Sequence, residues 1–353
     1  MNASGEINTL LCPAGGDHVR QTEASIVPLE GGRLLLAWTD FYGAEWRDEG
    51  PARLCGKWSD DQGESWSEPF VLQENTAGLN CMSASLLALE SGRLLLAFGR
   101  KDSTTLLHAM VRHSDDAGRT WTEPRQITHG DAYWCITNDR LIQLASGRIL
   151  YPLAEERRAG CHCWISDDEG LSWRRGTGGA RPPHCVAYPD GVAYEEPTVV
   201  ELPDGCAAMF LRTSAGNIHM FRSADGGDAW QPWKTHPSDM CGHADAGPNA
   251  ARSPCMVKRV PGTGDLLLIW NNNRVRTPLT AALSSDGGES WHSLRNLEAM
   301  DGWPPRLTHA YPSLAFLGDN AHITYWETYS APRAGRLFHL RYRRLPIAWF
   351  YET

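Results

Sequence analysis

One octapeptide, S-x-D-x-G-x-x-W, occurs five times in this 353-residue chain and constrains its fold more than any other feature. The copies are SDDQGESW at 59–66, SDDAGRTW at 114–121, SDDEGLSW at 166–173, SADGGDAW at 223–230 and SSDGGESW at 284–291. Successive copies are 55, 52, 57 and 61 residues apart. Such a regular period indicates a repeat architecture, in which each unit packs against its neighbours.

Turn chemistry accounts for every fixed position of the octapeptide. An Asp side chain accepts hydrogen bonds from the backbone two residues on, as in an Asx-turn. Glycine supplies a position with positive φ, and the Trp can pack back on the sheet. We therefore interpret the motif as a clip between two strands and exclude its aspartates as catalytic candidates: Asp61, Asp116, Asp168, Asp225 and Asp286.

Each repeat also contains a hairpin pattern, in which an apolar strand, a Gly-bearing or polar turn and a second apolar strand follow one another. The pattern occurs at 24–38, 83–98, 139–153, 197–211, 254–270 and 313–326. It predicts six units, of which the first five carry the octapeptide between a third and a fourth strand. The sixth unit needs an outer strand from Ile7–Cys12 or from Ile347–Tyr351. The sequence thus predicts one all-β domain over residues 1–353.

The repeated octapeptide resembles the Asp-box of the sialidase-like (neuraminidase, BNR repeat) β-propellers, and the resemblance covers most of the chain. It implies a six-bladed β-propeller of four-stranded antiparallel blades with five Asp-box turns. In such a fold the loops that precede the hairpins gather on one face and carry the functional residues.

Composition excludes several functions. The net charge is −9 and no Lys/Arg run is present, which disfavours nucleic acid as a partner. No apolar stretch approaches 18 residues, so we expect no membrane-spanning helix. Residues 1–20 lack the features of a signal peptide, and we expect a cytoplasmic protein. The ten cysteines follow no disulfide framework, and free thiols are expected.

A metal site is considered at Cys161-His162-Cys163. Alternation along a strand would point the two thiols to one face and the imidazole to the other. Spaced pairs such as C-x2-C, which are typical of zinc sites, are absent. We therefore expect neither a metal nor an organic cofactor.

The resemblance also implies a catalytic set, because sialidases place three arginines, a Tyr–Glu pair and an Asp at set positions of their blades. Arg20, before the first hairpin, corresponds to the first arginine, although Gln-Thr follows it here instead of Ile-Pro. Its structural alternative is a salt bridge with Glu23. The acid/base Asp corresponds to Asp48, eleven residues before the first octapeptide, with Asp40 and Glu49 as rivals.

The fourth unit reads YEEPTVVELPDGCAAMFLRT and matches the family most clearly. Glu196 falls on the position of the family's Glu at the blade start, and Arg212 on that of the Arg at the end of the second strand. Glu195 is a rival for Glu196, because a slip of one residue turns a side chain to the other face of the sheet.

The fifth and sixth units supply the last two members. Arg276 lies eight residues before the fifth octapeptide, where the family has its third arginine, and Arg274 is the alternative. Tyr311 takes the position of the family's nucleophile in the Tyr-Ser-x-Leu pattern, with Pro312 in place of the Ser and Leu314 at the same spacing.

The chemistry explains these residue types. Three guanidiniums can bind the carboxylate of a terminal acidic sugar such as sialic acid by charge-assisted hydrogen bonds. A neutral Tyr, deprotonated by Glu during attack, avoids the repulsion that an anionic nucleophile would meet, and sialidases depart from the two-carboxylate rule in this way. An Asp protonates the leaving oxygen and later activates water. The resemblance therefore implies an exo-acting, retaining glycosidase whose partner is a small or oligosaccharide substrate with an acidic sugar.

Two other functions remain open from the sequence. One is a uronate-specific polysaccharide lyase on the same fold, in which a Tyr or one of His309, His18 and His162 would abstract the C5 proton. The other is a glycan-binding propeller without catalysis. Tryptophans in the loops offer planes for stacking sugars in either case: Trp46, Trp134 and Trp303. Fold alone does not separate these functions.

Overall fold

The computed structural model of the protein describes residues 5–155, 160–180, 192–234, 250–329 and 335–352. These residues form an all-β chain of twenty-five strands, with 3-10 helices at Glu30–Gly32 and Ile347–Tyr351. None of the helices in the described part of the chain has the length or apolar character needed to cross a membrane.

The strands follow one another in groups along the chain. The first group is β1 (Ile7–Cys12), β2 (Arg20–Pro28), β3 (Leu34–Phe41), β4 (Ala52–Ser59) and β5 (Phe70–Gln73). The second is β6 (Asn80–Ala88), β7 (Leu94–Ser103), β8 (Leu106–Ser114) and β9 (Arg125–Gln126). The third is β10 (Trp134–Cys135), β11 (Ile142–Gln143), β12 (Ile149–Glu155), β13 (Gly160–Ser166) and β14 (Arg174–Arg175).

Three further groups complete the chain. The fourth is β15 (Tyr194–Glu201), β16 (Ala207–Thr213), β17 (Ile218–Ser223) and β18 (Gln231–Lys234). The fifth is β19 (Met256–Arg259), β20 (Leu266–Asn271), β21 (Leu279–Ser284) and β22 (His292–Glu298). The last is β23 (Leu307–Leu317), β24 (Asn320–Tyr329) and β25 (Phe338–Pro346).

Within the described ranges, the strands pair into five sheets, and the second to fifth groups each form one. The remaining sheet has eight strands and joins the two ends of the chain. Its order is β23-β24-β25-β2-β3-β4-β5, with β1 paired to β25. β25 and β2 meet at a single parallel pair, Arg20 opposite Phe338, whereas β1 pairs with β25 along most of its length. Ile7–Cys12 is therefore the strand that completes the last hairpin, and the other candidate, Ile347–Tyr351, is a 3-10 helix.

The core lies between neighbouring groups of strands, which cover one another on both faces. Every residue of β3 is buried. Leu35 packs in one cluster with Leu94 of β7, while Leu36 packs in another with Leu340 of β25. A strand that is buried on both faces reads as a continuous apolar run, and this explains the runs that predicted the hairpins.

The five octapeptides form one repeated turn, which begins at the last residue of β4, β8, β13, β17 and β21. In the fifth copy, Ser284 Oγ and the Ser290 N–H both donate to Asp286 Oδ1, at 2.8 and 2.9 Å. The Gly288 N–H donates to Ser284 Oγ at 2.8 Å, and Gly288 has a φ of 95°. In all five copies the Asp accepts the N–H four residues later, not two as expected. The positive-φ glycine folds the chain back, which brings that N–H over the carboxylate.

Residues with positive φ also occur in or next to the first strand of the hairpin in five of the units. Residues other than glycine rarely adopt this conformation. It occurs at Glu23 (55°), Ser83 (63°), Asp139 (57°), Glu196 (45°) and Tyr311 (59°). At four of these positions the strand register shifts, which identifies β-bulges. A bulge re-aims the side chains around it, and Glu196 and Tyr311 line the cavity described below.

The first strand of the hairpin in the third unit, β11, is shorter than predicted. The sequence pattern predicts a strand from 139 to 144, but only Ile142–Gln143 forms one. The Asp139 carboxylate turns inward instead, where it accepts the Leu314 N–H at 2.9 Å and pairs with Lys258 at 2.9 Å. These long-range contacts compete with the strand ladder at residue 139.

Asp286→Ala tests the turn. Although partial burial opposes ionisation, hydrogen bonds from Ser290 and Ser284 lower the pKa of Asp286 from 3.8 to about 2. Its carboxylate therefore stabilises the fold at neutral pH, and this contribution is lost as the pH falls from about 4 through about 2. We expect the free energy of unfolding to drop by about 1 kcal/mol at pH 7, and the difference from wild type to shrink toward pH 2. Denaturant titration at several pH values measures both, and an unchanged stability at pH 7 would contradict the assigned role.

Candidate active site

One cavity of about 700 Å³ contains the whole set of residues implied by the resemblance. All six side chains line it: Arg20, Asp48, Glu196, Arg212, Arg276 and Tyr311. They come from loops and strand ends spread over 292 positions of the chain, from residue 20 to residue 311. The fold therefore brings together residues that the sequence keeps far apart.

Tyr311 and Glu196 form the central contact of this cavity. The Tyr311 hydroxyl donates to Glu196 Oε1 at 2.6 Å, so the pair hydrogen-bonds as predicted. Burial raises the pKa of Tyr311 well above its ordinary value of 10, and the Glu196 carboxylate adds to the rise. Arg212 and Arg276 act in the opposite direction, as expected, but do not overcome burial. The resting tyrosine is thus a neutral phenol hydrogen-bonded to a buried carboxylate.

Arg212 holds this pair in place. It forms a salt bridge with Glu196, and its Nη1 lies 3.5 Å from the Tyr311 hydroxyl. Its Nε lies 3.1 Å from Glu195 Oε2. Although burial of the guanidinium opposes it, the negative charge of Glu196 and Glu195 and the hydrogen bond to Glu196 raise the pKa of Arg212.

Glu195 and Glu196 therefore have different partners, although they are adjacent. Glu195 bridges Arg212 and Arg252, with the Arg252 Nε 3.0 Å from its Oε2. Glu196 alone of the two contacts Tyr311. The bulge between Glu195 and Thr198 sets this difference in direction, and it leaves Glu196, not Glu195, in contact with Tyr311.

Arg20 lines the same cavity and also forms the salt bridge with Glu23 that the sequence offered as its structural alternative. Its Nη2 pairs with Glu23 at 2.5 Å and its Nη1 with Asp48 at 2.5 Å. The guanidinium carbon lies 4.2 Å from the centroid of the Phe41 ring. Burial opposes its charge, but Asp48 and Glu23 raise the pKa of Arg20. It is both a partner of Glu23 and a wall of the cavity.

Asp48 is the exposed carboxylate of the site. Its side chain is 58% exposed, and the salt bridge to Arg20 holds its pKa below the ordinary value of 3.8. Neither rival lines the cavity. Asp40 binds His18 at 2.8 Å, and Glu49 lies 3.7 Å from Lys101.

Arg276 differs from the other two arginines in having no ion pair with a described residue. Its guanidinium carbon lies 5.6 Å from the Tyr311 ring centroid and 5.4 Å from that of Trp326. Its Nη2 donates to the Arg252 carbonyl at 3.1 Å. This guanidinium is thus available to an anion that enters the cavity. Arg274, the alternative in the sequence, also lines the cavity but is exposed.

Several lining residues were missed from the sequence. Arg252 and Arg336 bring two further guanidiniums, and Trp326 and Phe338 bring apolar faces. Arg336 follows the second strand of its unit, as Arg276 does. An arginine after that strand is thus a signal that could have identified it.

The histidines considered for a lyase lie outside the lining residues. His309 is buried, with Nε2 3.1 Å from Glu327. His18 binds Asp40, and His162 is buried beside Arg175. None of the three histidines is therefore placed to act as a base on a substrate in this cavity.

The tryptophans have three different environments. Trp46 lines the cavity and stacks on Phe338, with ring centroids 6.0 Å apart. Trp134 is 2% exposed and packs edge-on against Trp164, so it offers no plane to a sugar. Trp303 is 74% exposed but is not a lining residue.

The cysteines of β13 alternate with His162 as expected. Cys161 and Cys163 are both in a buried cluster, whereas the His162 ring contacts Arg175. Within the described ranges, no group of three His, Cys, Asp or Glu side chains is arranged to hold a metal ion.

Arg212→Met should leave the buried Glu196 carboxylate without its cation. Breaking a buried ion pair from one side costs about 3–5 kcal/mol, and we expect a loss of unfolding free energy near the lower end because Tyr311 still donates. The double variant Arg212→Met/Glu196→Gln should recover most of this loss, since neither member of the pair then carries a charge. Denaturant unfolding of the variants checks both expectations. Equal stability of wild type and Arg212→Met would contradict the assigned pair.

Comparison with known proteins places this geometry in a family. The model of a BNR repeat-like domain matches residues 32–323. A sialidase from Micromonospora viridifaciens is 26% identical over 341 residues, which cover 85% of this chain and 47% of that protein. The chain thus spans about half the length of that relative.

Solved structures share the fold. An intramolecular trans-sialidase from Ruminococcus gnavus superposes with a TM-score of 0.76 at 15% identity, covering 98% of both chains. A protein of unknown function from Dyadobacter fermentans superposes with a TM-score of 0.71 at 20% identity, covering 97% of this chain and 99% of that one. With most of its length matched by the family model, the chain belongs to the BNR repeat-like domain family, within the sialidase-like superfamily.

Proposed function

We propose that this chain is an exo-acting, retaining glycoside hydrolase that removes a terminal acidic sugar, with Tyr311 as nucleophile. The observation that carries the proposal is the 2.6 Å hydrogen bond from Tyr311 to Glu196 in a cavity that also contains three guanidiniums of the predicted clamp. A phenol that donates a hydrogen bond to a buried carboxylate can pass its proton to that carboxylate during attack. The arginines around it can bind a substrate that carries a carboxylate.

The first step uses the neutral state of Tyr311. Its oxygen attacks the anomeric carbon while Glu196 accepts the phenolic proton, so that the nucleophile gains its charge only as the new bond forms. Arg212, which is bound to Glu196, remains next to both atoms. The arginines Arg20, Arg212 and Arg276 bind the sugar carboxylate. Water then attacks the anomeric carbon, the bond to Tyr311 breaks, and Glu196 returns the proton to the Tyr311 oxygen.

Asp48 must exchange partners to act as an acid. Paired with Arg20, it is ionised at neutral pH and has no proton to give. We propose that the substrate carboxylate takes its place on Arg20. Loss of the cation and approach of a second anion both raise the pKa of Asp48. The freed, exposed carboxyl then takes up a proton, donates it to the leaving oxygen, and afterwards accepts one from the attacking water.

We further propose that the domain is a six-bladed propeller with five Asp-box turns. A single residue pair joins the two halves of the eight-stranded sheet, Arg20 with Phe338. Division at this pair yields two four-stranded units, and the other four sheets supply the remaining units. Radial closure of this kind leaves few strand edges exposed.

Tyr311→Phe tests the nucleophile. The change removes one oxygen and should leave the fold and the binding of an acidic sugar intact. We expect turnover to fall by at least about 10²-fold, the lower end for a positioned proton-transfer group. Steady-state kinetics and calorimetric binding of the same sugar separate the two effects. Near-full turnover in this variant would rule out the tyrosine mechanism.

Binding of an acidic-sugar ligand should take up a proton at pH 5–6. The cause is the rise of the Asp48 pKa when the ligand displaces it from Arg20. Calorimetric titrations in buffers with different heats of ionisation measure the number of protons. Asp48→Asn is the matched control and should bind with less proton uptake. Tight binding with no proton uptake by the wild type would refute the exchange.

A substrate screen separates this function from the lyase. Chromogenic α-sialosides and uronides are followed both for hydrolysis and for the new double bond that elimination creates. Release of the sugar without a double bond supports the proposal. A double bond formed from uronides would overturn it.

A further inference from the structure

The cavity contains more guanidinium groups than a single carboxylate requires. Six arginines line it: Arg20, Arg212, Arg252, Arg274, Arg276 and Arg336. Arg20, Arg212 and Arg252 each form a salt bridge with a carboxylate of the protein. Arg274 and Arg276 form none with a described residue. A terminal carboxylate can neutralise one of these two charges and leaves the other unmatched.

Arg274 is the arginine whose charge stays without a counter-ion when one substrate carboxylate is bound. Arg276 lies beside Tyr311, 5.6 Å from its ring centroid, whereas the Arg274 side chain is exposed. A substrate carboxylate held near Tyr311 therefore neutralises the charge of Arg276 and not that of Arg274. The charge on Arg274 stays available at the edge of the cavity.

Arg252 lies at the same corner as Arg274. The two loops touch, because the Ala251 N–H donates to the Asn271 carbonyl at 3.4 Å and Arg276 donates to the Arg252 carbonyl. The Arg252 side chain is 57% exposed and shares Glu195 with Arg212. We call Arg252 and Arg274 the rim pair. It presents two exposed guanidiniums and one carboxylate, an excess of positive charge.

The side from which Tyr311 attacks the anomeric carbon determines where the leaving group of the substrate lies. A retaining glycosidase attacks the anomeric carbon on the side opposite to the leaving oxygen. Tyr311 is half-buried in the wall of the cavity and packs on Trp326. In the proposed function Asp48 donates its proton to the leaving oxygen, and Asp48 is 58% exposed. The leaving group therefore lies in the solvent-facing part of the cavity, which the exposed rim pair also lines.

We infer that the preferred substrate carries a second negative charge on its leaving group. The chemical class is an acidic oligosaccharide whose terminal acidic sugar is followed by a sugar with a carboxylate or a sulfate ester. The inference rests on the proposed function, since it assumes that Tyr311 marks the side of attack. An exposed charge contact of this kind is worth up to about 1 kcal/mol, which corresponds to about a fivefold preference.

Three substrates with the same terminal acidic sugar test the inference. Their leaving groups are a neutral sugar, a sugar with a carboxylate, and a sugar with a sulfate ester. At low ionic strength we expect kcat/KM to be about fivefold higher for at least one charged leaving group than for the neutral one. Which of the two is preferred identifies the source of the charge. The preference should fade in 0.5 M salt because salt screens exposed charges.

Arg274→Gln should bring the ratio of charged to neutral substrate close to one. Arg47→Gln is the matched control, since Arg47 is an exposed arginine that pairs with Glu45 outside the cavity lining. It should keep the wild-type ratio. Equal kcat/KM for neutral and charged leaving groups in the wild type would overturn the inference and leave the proposed hydrolysis standing.

A measurement of binding affinity makes the test independent of turnover. The affinities of the same three compounds for Tyr311→Phe are measured by calorimetry. Tighter binding of a charged leaving group, reduced by adding Arg274→Gln, supports the rim pair even if no compound is hydrolysed. Absence of hydrolysis by the wild type would overturn the proposed function, and equal binding of all three compounds would overturn the inference.

Discussion

The pairing of Ile7–Cys12 with β25 is the contact on which the arrangement of the site depends. It joins the N-terminal strand to the last strand of the domain, and β2 begins beside that same strand at Arg20. Strands from both ends of the chain thereby lie in one sheet, and residues near both ends line one cavity. The proposed clamp and nucleophile therefore depend on a long-range strand pairing and not on any local motif.

Within the cavity, carboxylates and guanidiniums hold one another in defined charge states. Arg212 neutralises the buried Glu196, and burial keeps Tyr311 protonated against that carboxylate. Arg20 does the same for Asp48, but there the carboxylate is exposed and can be replaced. The first pair is fixed, which suits a nucleophile that must be pre-organised. The second is exchangeable, which suits an acid that needs its proton only when substrate is present.

Family membership and function have different support in this protein. Membership follows from a match over most of the chain, and the shared fold follows from superposition with sialidases and with a protein of unknown function alike. One fold can carry many chemistries, so the fold does not choose among them. The choice of hydrolysis comes from the contact of Tyr311 with Glu196 and from the arginines around it. The rim pair extends the same reasoning from the reaction to the substrate.

The sequence by itself determined the features that depend on local chemistry. The octapeptide predicted five turns because Ser, Asp and Gly create their hydrogen bonds within a few residues, and apolar runs predicted the central strands because each is buried on both faces. Order along the chain was enough to propose all six site residues. Only the tertiary structure decided between Ile7–Cys12 and Ile347–Tyr351, and between Glu195 and Glu196. It also showed Trp134 to be buried and shortened the strand at Asp139. The strand pairing and the turn of Asp139 depend on contacts between residues more than a hundred positions apart. The burial of Trp134 depends on packing against Trp164 of another strand, and the direction of Glu196 on a bulge that shifts register. None of these leaves a local pattern in the sequence.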